Sequence, residues 1–143
     1  MKAGNKAVPE IKRFVRKQLG CKCPDEVFSS IEIIHKPDVF SSLPVDYLLE
    51  IGGRLLLAVV TRDIHLIPAC LKEIINTGRL YRDSHGFNRF RLVVAIKDNE
   101  IQDAIQSAYD LLALNDEKIH LHIIDPASID SEYSRAISRA DNS

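Results

Sequence analysis

The sequence lacks the features that mark membrane proteins, secreted proteins and the common nucleotide-binding proteins. No apolar run approaches the roughly 18–20 residues that a membrane span requires. The N-terminal Met-Lys-Ala-Gly-Asn-Lys is not followed by the apolar segment of a signal peptide. A glycine-rich phosphate loop, the most specific sequence sign of nucleotide binding, is also missing. We therefore expect a cytoplasmic protein that makes no membrane contact.

Cysteine is scarce too. The chain has three, an odd number, and their spacing offers no long-range disulfide framework. This agrees with a reducing compartment. With 143 residues, 45% of them hydrophobic, the chain is large enough to form an ordinary hydrophobic core without stabilising disulfide bonds or metal ions. We expect a single α/β domain over residues 1–143, with a frayed tail at residues 140–143.

A net charge of −1 conceals an uneven distribution. Residues 1–22 carry seven Lys and Arg against one Glu, whereas residues 23–143 carry twelve against nineteen acidic residues. The chain is therefore a basic head on an acidic body, a pattern that can indicate an anionic partner.

Residues 46–60, with the sequence DYLLEIGGRLLLAVV, are the centre of the predicted fold. Two apolar runs flank Gly52 and Gly53, which predicts a tight two-residue hairpin turn with positive φ angles and Ile51 facing Arg54. The second run has no polar residue on either face. We expect it to be a strand buried on both sides, as in a sheet covered by helices.

Hydrophobic periodicity predicts the remaining elements. The predicted strands cover residues 30–35, 90–96 and 119–124. The first predicted helices are a basic amphipathic helix over residues 8–19 and a short helix after Pro24 with Cys23 at its N-cap. Three more follow: from about Pro68 to Thr77, stopped by Gly78; from Asp98 or Asn99 to about Leu114; and over residues 128–139. Because βαβ crossovers are nearly always right-handed, the last three strands should run parallel, with the strand over residues 119–124 at an edge. The predicted fold is a three-layer α/β domain with a mixed five-stranded sheet. It combines an N-terminal β-meander with two βαβ crossovers and has helices on both faces.

The order of helix, three strands, helix and strand also occurs in restriction-endonuclease-like nucleases. Those enzymes carry an acidic pair followed by Glu-x-Lys on the third strand. The third strand of this chain, Leu55–Val60, contains neither an acid nor a lysine. The sequence therefore does not place the chain in that family.

The first candidate site is the Cys21-Lys22-Cys23 segment. Thiolate is the reactive and metal-binding form of cysteine, and a helix N-terminus with Lys22 nearby favours it. The two thiols are close enough to be oxidised together or to chelate zinc or iron. A tetrahedral metal site would need further ligands, and His120 and His122, on one face of the last strand, are the other paired donors. The simpler interpretation is that these cysteines are small core hydrophobes.

The second candidate site is the rim at the carboxyl ends of the parallel strands, where open α/β sheets usually bind ligands. Its residues are Asp46, Arg62, Asp63, Lys97, Asp98 and Asp125. Carboxylates with nearby cations can hold Mg²⁺ and a phosphate, which would suit a phosphoryl-transfer or hydrolytic enzyme. The simpler interpretation makes Asp98 a helix cap and Asp125 part of a turn.

The third candidate is a polyanion-binding surface made of two basic groups. They are Lys12, Arg13, Arg16 and Lys17 on the first helix, and Arg79, Arg82, Arg89 and Arg91 within an arginine-rich and aromatic loop over residues 79–91. Cations interleaved with aromatic rings contact phosphates and stack bases. This predicts a module that docks nucleic acid or an acidic protein partner, although the acidic body argues against a broad nucleic-acid surface.

Three interpretations thus stay open, in this order: a metal-binding or redox cysteine pair, a binding module for nucleic acid or an acidic protein, and a Mg²⁺-dependent enzyme. The sequence alone leaves open whether the chain is an enzyme.

Overall fold

The computed structural model describes residues 7–128. The predicted tail at residues 140–143, and all but the first residue of the helix predicted over residues 128–139, lie outside that range. The helices and strands are α1 (Ala7–Lys17), β1 (Ile31–His35), β2 (Tyr47–Ile51), β3 (Leu55–Val60), α2 (Ile67–His85), β4 (Arg89–Ala95), α3 (Asn99–Leu111) and β5 (Ile119–Ile124). Among the helices of residues 7–128, none combines the length and hydropathy that a bilayer-spanning segment needs.

The five strands form one mixed sheet in the order β1-β2-β3-β4-β5. The first three pair antiparallel as a meander, and β3, β4 and β5 run parallel. This confirms the predicted meander with two crossovers. Strand β5 lies at an edge of the sheet, as its alternating pattern predicts, while β3 and β4 are interior.

The two faces of the sheet carry separate hydrophobic cores, because side chains alternate between the faces along each strand. On β3, Leu55, Leu57 and Val59 pack with residues of α1, whereas the intervening residues pack with α2 and α3. Every residue of β3 is buried. Helices therefore cover both faces, as the unbroken apolar run predicts.

The hairpin turn has three residues, so the predicted two-residue turn is wrong by one position. Ile51 pairs with Leu55 and not with Arg54. The Arg54 N–H donates to the Ile51 carbonyl at 3.1 Å, while its own carbonyl accepts from the N–H groups of Asn88 (2.8 Å) and Arg89 (3.0 Å). The backbone of Arg54 is thus hydrogen-bonded to the chain entering β4. Both glycines of the turn do have positive φ, as predicted.

Helix α2 does not end at Gly78, contrary to the prediction. It continues to His85 and ends at Gly86, whose φ is 75°. Gly78 lies where Phe90 of β4 packs directly on the helix, and a Cβ atom at this position would overlap the phenyl ring. The glycine therefore permits close packing and does not stop the helix. The loop predicted over residues 79–91 is in fact the second half of α2, a short turn and the start of β4.

Candidate functional site

Cys21 and Cys23 lie in the loop after α1 and are joined by a disulfide bond. Gly20, with φ at 66°, ends the helix, and the N–H of Cys21 donates to the carbonyl of Val15 at 3.2 Å. This bond spans six residues and ties the start of the cysteine loop back to the last turn of α1. The predicted N-cap role of Cys23 is wrong, because Pro24 occupies that position before a five-residue 3₁₀ turn, Asp25–Ser29. A full helix dipole therefore does not act on Cys23.

Two arginines hold the backbone on either side of the disulfide. Nη1 of Arg91 donates to the carbonyl of Leu19 at 2.7 Å, and Nη2 of Arg16 donates to the carbonyl of Cys23 at 2.7 Å. Nη2 of Arg16 also binds Oδ1 of Asp25 at 2.7 Å. The loop that carries the two cysteines is therefore anchored at both ends.

The three cysteines differ in exposure and surroundings. Cys21 is buried at 8% exposure, and Cys23 is half-buried against the same core. Cys70 is free and lies on α2, at the opposite face of the sheet. Its Sγ donates to the carbonyl of Leu66 at 3.2 Å, and burial raises the pKa of its thiol. Cys70 is thus well separated from the disulfide by the sheet.

An open pocket of about 310 Å³, the basic pocket, lies beside the disulfide at the amino ends of β3 and β4. Its walls are residues 21–24 of the cysteine loop, Val27, Arg54 at the end of the hairpin turn, Leu55 at the start of β3, and Asn88, Arg89 and Arg91 at the start of β4. Four of these side chains are cationic and none is acidic. An adjoining hollow, which shares Pro24, Val27 and Arg54, includes Glu26.

Arg91 is the most unusual residue of the basic pocket, because its guanidinium is buried without a carboxylate partner in the described range. The residue is 8% exposed. Besides Leu19, its Nη1 contacts Nε2 of His122 at 3.0 Å, and its Nε has no hydrogen-bond partner within residues 7–128. Burial, with a further contribution from the charge of Arg89, lowers the pKa of Arg91.

His120 and His122 share one face of β5, as predicted, with ring centroids 6.3 Å apart. Burial first, and then the charges of Arg91 and His120, lower the pKa of His122 to about 4. Because arginine can only donate, Nε2 of His122 must accept, so this nitrogen is engaged and not open to a metal. Within residues 7–128 no three His, Cys, Asp or Glu side chains are placed to hold a metal ion. The structure therefore does not assemble the predicted zinc or iron site from the cysteine pair and the two histidines.

The aspartates of the predicted rim make turns and caps in this structure. Oδ2 of Asp46 accepts from the backbone N–H and the hydroxyl of Thr61 at 2.6 and 2.8 Å, and Arg62 lies 3.9 Å from the same carboxylate. Asp98 caps α3 by accepting from two backbone N–H groups, and Asp125 accepts from the N–H of Ala127 at 2.8 Å. Asp63 and Lys97 are exposed. The described residues thus favour the simpler interpretation of the rim over a magnesium site.

The basic residues predicted to bind a polyanion do not form one surface. Lys12 and Arg16 on α1 both pair with Asp25, at 2.8 and 2.7 Å, while Arg13 and Lys17 are exposed on the same helix. On α2, Arg79 donates to Asn76 at 2.8 Å. Only Arg89 and Arg91 of the predicted set line the basic pocket.

Arg82 and Tyr81 are engaged within the fold and do not form an aromatic, phosphate-binding loop. Arg82 is buried and pairs with Asp116 at 2.7 Å and Asp83 at 3.0 Å. The hydroxyl of Tyr81 donates to the carboxylate of Glu50, and its ring stacks on His85. The loop interpretation of residues 79–91 is wrong because these side chains lie on a continuous helix.

The sequence patterns place Cys21 and Cys23 in one candidate site and Arg89 and Arg91 in another, and they do not mark Arg54 as a site residue. The predicted sheet topology could have identified Arg54. A parallel β3 and β4 place the hairpin turn beside the residues that enter β4, and Leu55 indeed pairs with Arg89. The arginine after the two glycines therefore lies next to Arg89.

No protein-family model, curated protein or solved structure matches this chain. Because one fold can host many functions, the chemistry of the basic pocket and the cysteine pair is the better guide to the function of this chain.

Proposed function

We propose that this chain is a thiol–disulfide redox protein in which Cys21 and Cys23 cycle between a dithiol and a disulfide. One observation carries the proposal: the two cysteines are bonded to each other, and both line an open pocket that another molecule can enter. The disulfide is therefore formed, and Cys23, the more exposed of the two cysteines, faces the pocket side by side with the buried Cys21.

A purely structural role explains this disulfide poorly. A bridge between residues two apart closes a very small loop, and its effect on the entropy of the unfolded chain is roughly half that of a bridge closing a 15-residue loop. The neighbouring helix α1 is already fixed by the buried side chains of Ile11, Phe14 and Val15. The fold thus has little need of the bridge, which favours a chemical role.

The surroundings of the pair suit the reduced state as well. Lys22, Arg54, Arg89 and Arg91 line the same pocket as the two cysteines. Cations near a thiol favour the thiolate, which is the form that attacks disulfides. The basic pocket therefore supplies the electrostatic condition that thiol–disulfide exchange requires.

The exchange proceeds in two displacements at sulfur. The thiolate of Cys23, the more exposed of the pair, attacks one sulfur of an external disulfide, whose S–S bond breaks and releases one thiolate. The thiolate of Cys21 then attacks Sγ of Cys23 and releases the second. Two electrons pass from the protein to the external disulfide, and the two released thiolates take up the two protons that the cysteines lost. The reverse sequence reduces the protein.

A reducing compartment such as the cytoplasm fits this proposal, because glutathione and thioredoxin systems there keep thiols available for such exchange. A pair that must be reduced again after each cycle depends on such a supply of reducing equivalents.

The test uses a Cys70→Ser background, which leaves Cys21 and Cys23 as the remaining cysteines. Reduced protein is mixed with bis(2-hydroxyethyl) disulfide, and the released mercaptoethanol and the intact protein mass are followed. We expect two equivalents of thiol from the Cys70→Ser protein. With Cys21→Ser added, the reaction should stop at a mixed disulfide on Cys23. The proposal fails if the Cys70→Ser protein releases no more thiol than a variant that also carries Cys21→Ser and Cys23→Ser.

A further inference from the structure

The charge of the basic pocket goes beyond what a redox cysteine pair needs. Lys22, Arg54, Arg89 and Arg91 converge on it, and no acidic side chain lines it. The strands hold this arrangement in place, because the carbonyl of Arg54 accepts from the N–H of Arg89 at 3.0 Å. On α1, by contrast, Lys12 and Arg16 share the carboxylate of Asp25. The pocket is thus a local site of unbalanced positive charge.

The two buried arginines of the described chain differ in whether a carboxylate balances their charge. Arg82 is 7% exposed and is balanced by Asp116 at 2.7 Å and Asp83 at 3.0 Å. Arg91 is 8% exposed, yet its guanidinium contacts the neutral carbonyl of Leu19 and the imidazole of His122. A buried charge without a counter-ion is costly to the fold. An anion in the basic pocket would supply the counter-charge that Arg91 lacks.

The size of the basic pocket and its arginine side chains restrict which anions it can bind. A volume of about 310 Å³ is at the lower end of the range for small-molecule sites and is too small for a nucleic-acid duplex. The guanidinium groups of Arg54 and Arg89 present paired N–H donors in the geometry that matches a carboxylate. The disulfide in the same wall requires a ligand that brings sulfur to Cys23.

We infer that the basic pocket recognises small thiols, and their disulfides, that carry carboxylates. This inference names the substrate class of the proposed redox function and rests on that function for its chemistry, whereas the anion-binding step stands without it. The carboxylates are bound by Arg54 and Arg89 at the mouth of the pocket, with the charge of Arg91 behind them, and the ligand sulfur then lies beside Cys23.

The test compares three small disulfides that differ in charge: 3,3′-dithiodipropionate, bis(2-hydroxyethyl) disulfide and cystamine. The reaction rate of each disulfide with reduced Cys70→Ser protein is divided by the rate of the same disulfide with dithiothreitol. This normalisation corrects for differences in intrinsic reactivity among the three disulfides. We expect the normalised rate of the dicarboxylate to exceed that of the neutral compound by about tenfold, and cystamine to be slowest.

Arg54→Gln and Arg89→Gln are the informative variants, because both side chains are exposed and their loss should leave the fold intact. Each should lower the preference for the dicarboxylate roughly two- to fivefold, as expected for losing one solvent-exposed charge pair. Arg62→Gln, at the opposite end of the strands, makes the same charge change and should leave the preference unaltered. Equal normalised rates for all three disulfides, or a preference that survives Arg54→Gln combined with Arg89→Gln, would overturn the inference.

A binding measurement separates this inference from the redox proposal. The thioether 3,3′-thiodipropionate has the two carboxylates but no S–S bond, so it cannot exchange. We expect it to bind to the Cys21→Ser/Cys23→Ser protein in calorimetry, and to bind more weakly when Arg89→Gln is added. Binding without any exchange in the Cys70→Ser protein would keep the anion site and remove the redox function. Absence of binding would remove the anion site, whatever the exchange assay shows.

Discussion

Arg91 and His122 lie on neighbouring strands, and Nη1 of the guanidinium donates to Nε2 of the imidazole at 3.0 Å. Since the arginine can only donate, the hydrogen bond requires an unprotonated Nε2. Burial and the charges of Arg91 and His120 lower the pKa of His122 to about 4. The folded protein therefore pairs a charged arginine with a neutral histidine beside the basic pocket.

The first prediction concerns pH. His122 takes up a proton near 6.5 in the unfolded chain but only near 4 in the folded one, so between these values the unfolded state binds more protons. The free energy of unfolding should therefore fall as the pH falls through this window, by roughly 1–3 kcal/mol for this residue. Urea denaturation at several pH values measures the slope.

His122→Gln is the matching variant, because the amide oxygen of glutamine can still accept from Arg91. We expect a shallower slope in this variant but not a flat one, since burial also lowers the pKa of His120. His65→Gln, in an exposed 3₁₀ turn, serves as the control. If His122→Gln keeps the wild-type slope, His122 does not titrate as the structure indicates.

The second prediction distinguishes the two glycines of the hairpin turn. Gly52 and Gly53 have φ angles of 60° and 65°, so alanine is strained at either position by roughly 1–2 kcal/mol. A Cβ atom at Gly52 would also overlap the backbone of Val27, whereas the space at Gly53 is open. Gly52→Ala should therefore lower the free energy of unfolding by about 1–3 kcal/mol more than Gly53→Ala. Equal losses in chemical denaturation would mean that the turn does not pack on the 3₁₀ segment.

Much of the fold can be predicted from the sequence, because the information is local. The apolar runs at residues 55–60 and 90–96 predict interior strands, and the alternation over residues 119–124 predicts an edge strand. The hairpin register could not be predicted in the same way. It depends on the hydrogen bonds that Arg54 makes to the chain entering β4, which is distant in sequence.

The candidate site shows the same limit of local information. Cys21 and Cys23 stand out by their spacing, but the cations around them come from the hairpin turn and the start of β4. Arg91 and Arg82 look equivalent in the sequence, since both lie in a basic, aromatic stretch. Their difference, one with a carboxylate partner and one without, arises because α2 passes Asp116 whereas β4 faces the end of α1.

The third prediction tests the close contact between α2 and β4. Within a helix, Gly→Ala normally stabilises by about 1 kcal/mol. At Gly78 the new methyl group would overlap the ring of Phe90, and overpacking of this kind costs about 1–3 kcal/mol. Gly78→Ala should therefore destabilise the protein in thermal or chemical unfolding.

The Phe90→Leu variant tests whether the Phe90 ring causes the loss of stability in Gly78→Ala. In that variant the ring is gone, so adding Gly78→Ala should cost less than it does in the wild type. A double-mutant cycle measures this coupling. If Gly78→Ala stabilises the wild-type protein, or if its effect is the same with and without the Phe90→Leu substitution, the contact does not explain the glycine.

A redox titration of Cys21 and Cys23 is the most direct test of the proposed thiol–disulfide cycle. The Cys70→Ser protein is equilibrated in thiol–disulfide buffers of defined potential, quenched with acid and alkylated with N-ethylmaleimide. Its intact mass is then measured by mass spectrometry. We expect a single two-electron transition between a form with no adduct and a form with two, in which the ratio changes tenfold for about every 30 mV. Two adducts at every potential, or none even under fully reducing conditions, would contradict the cycle.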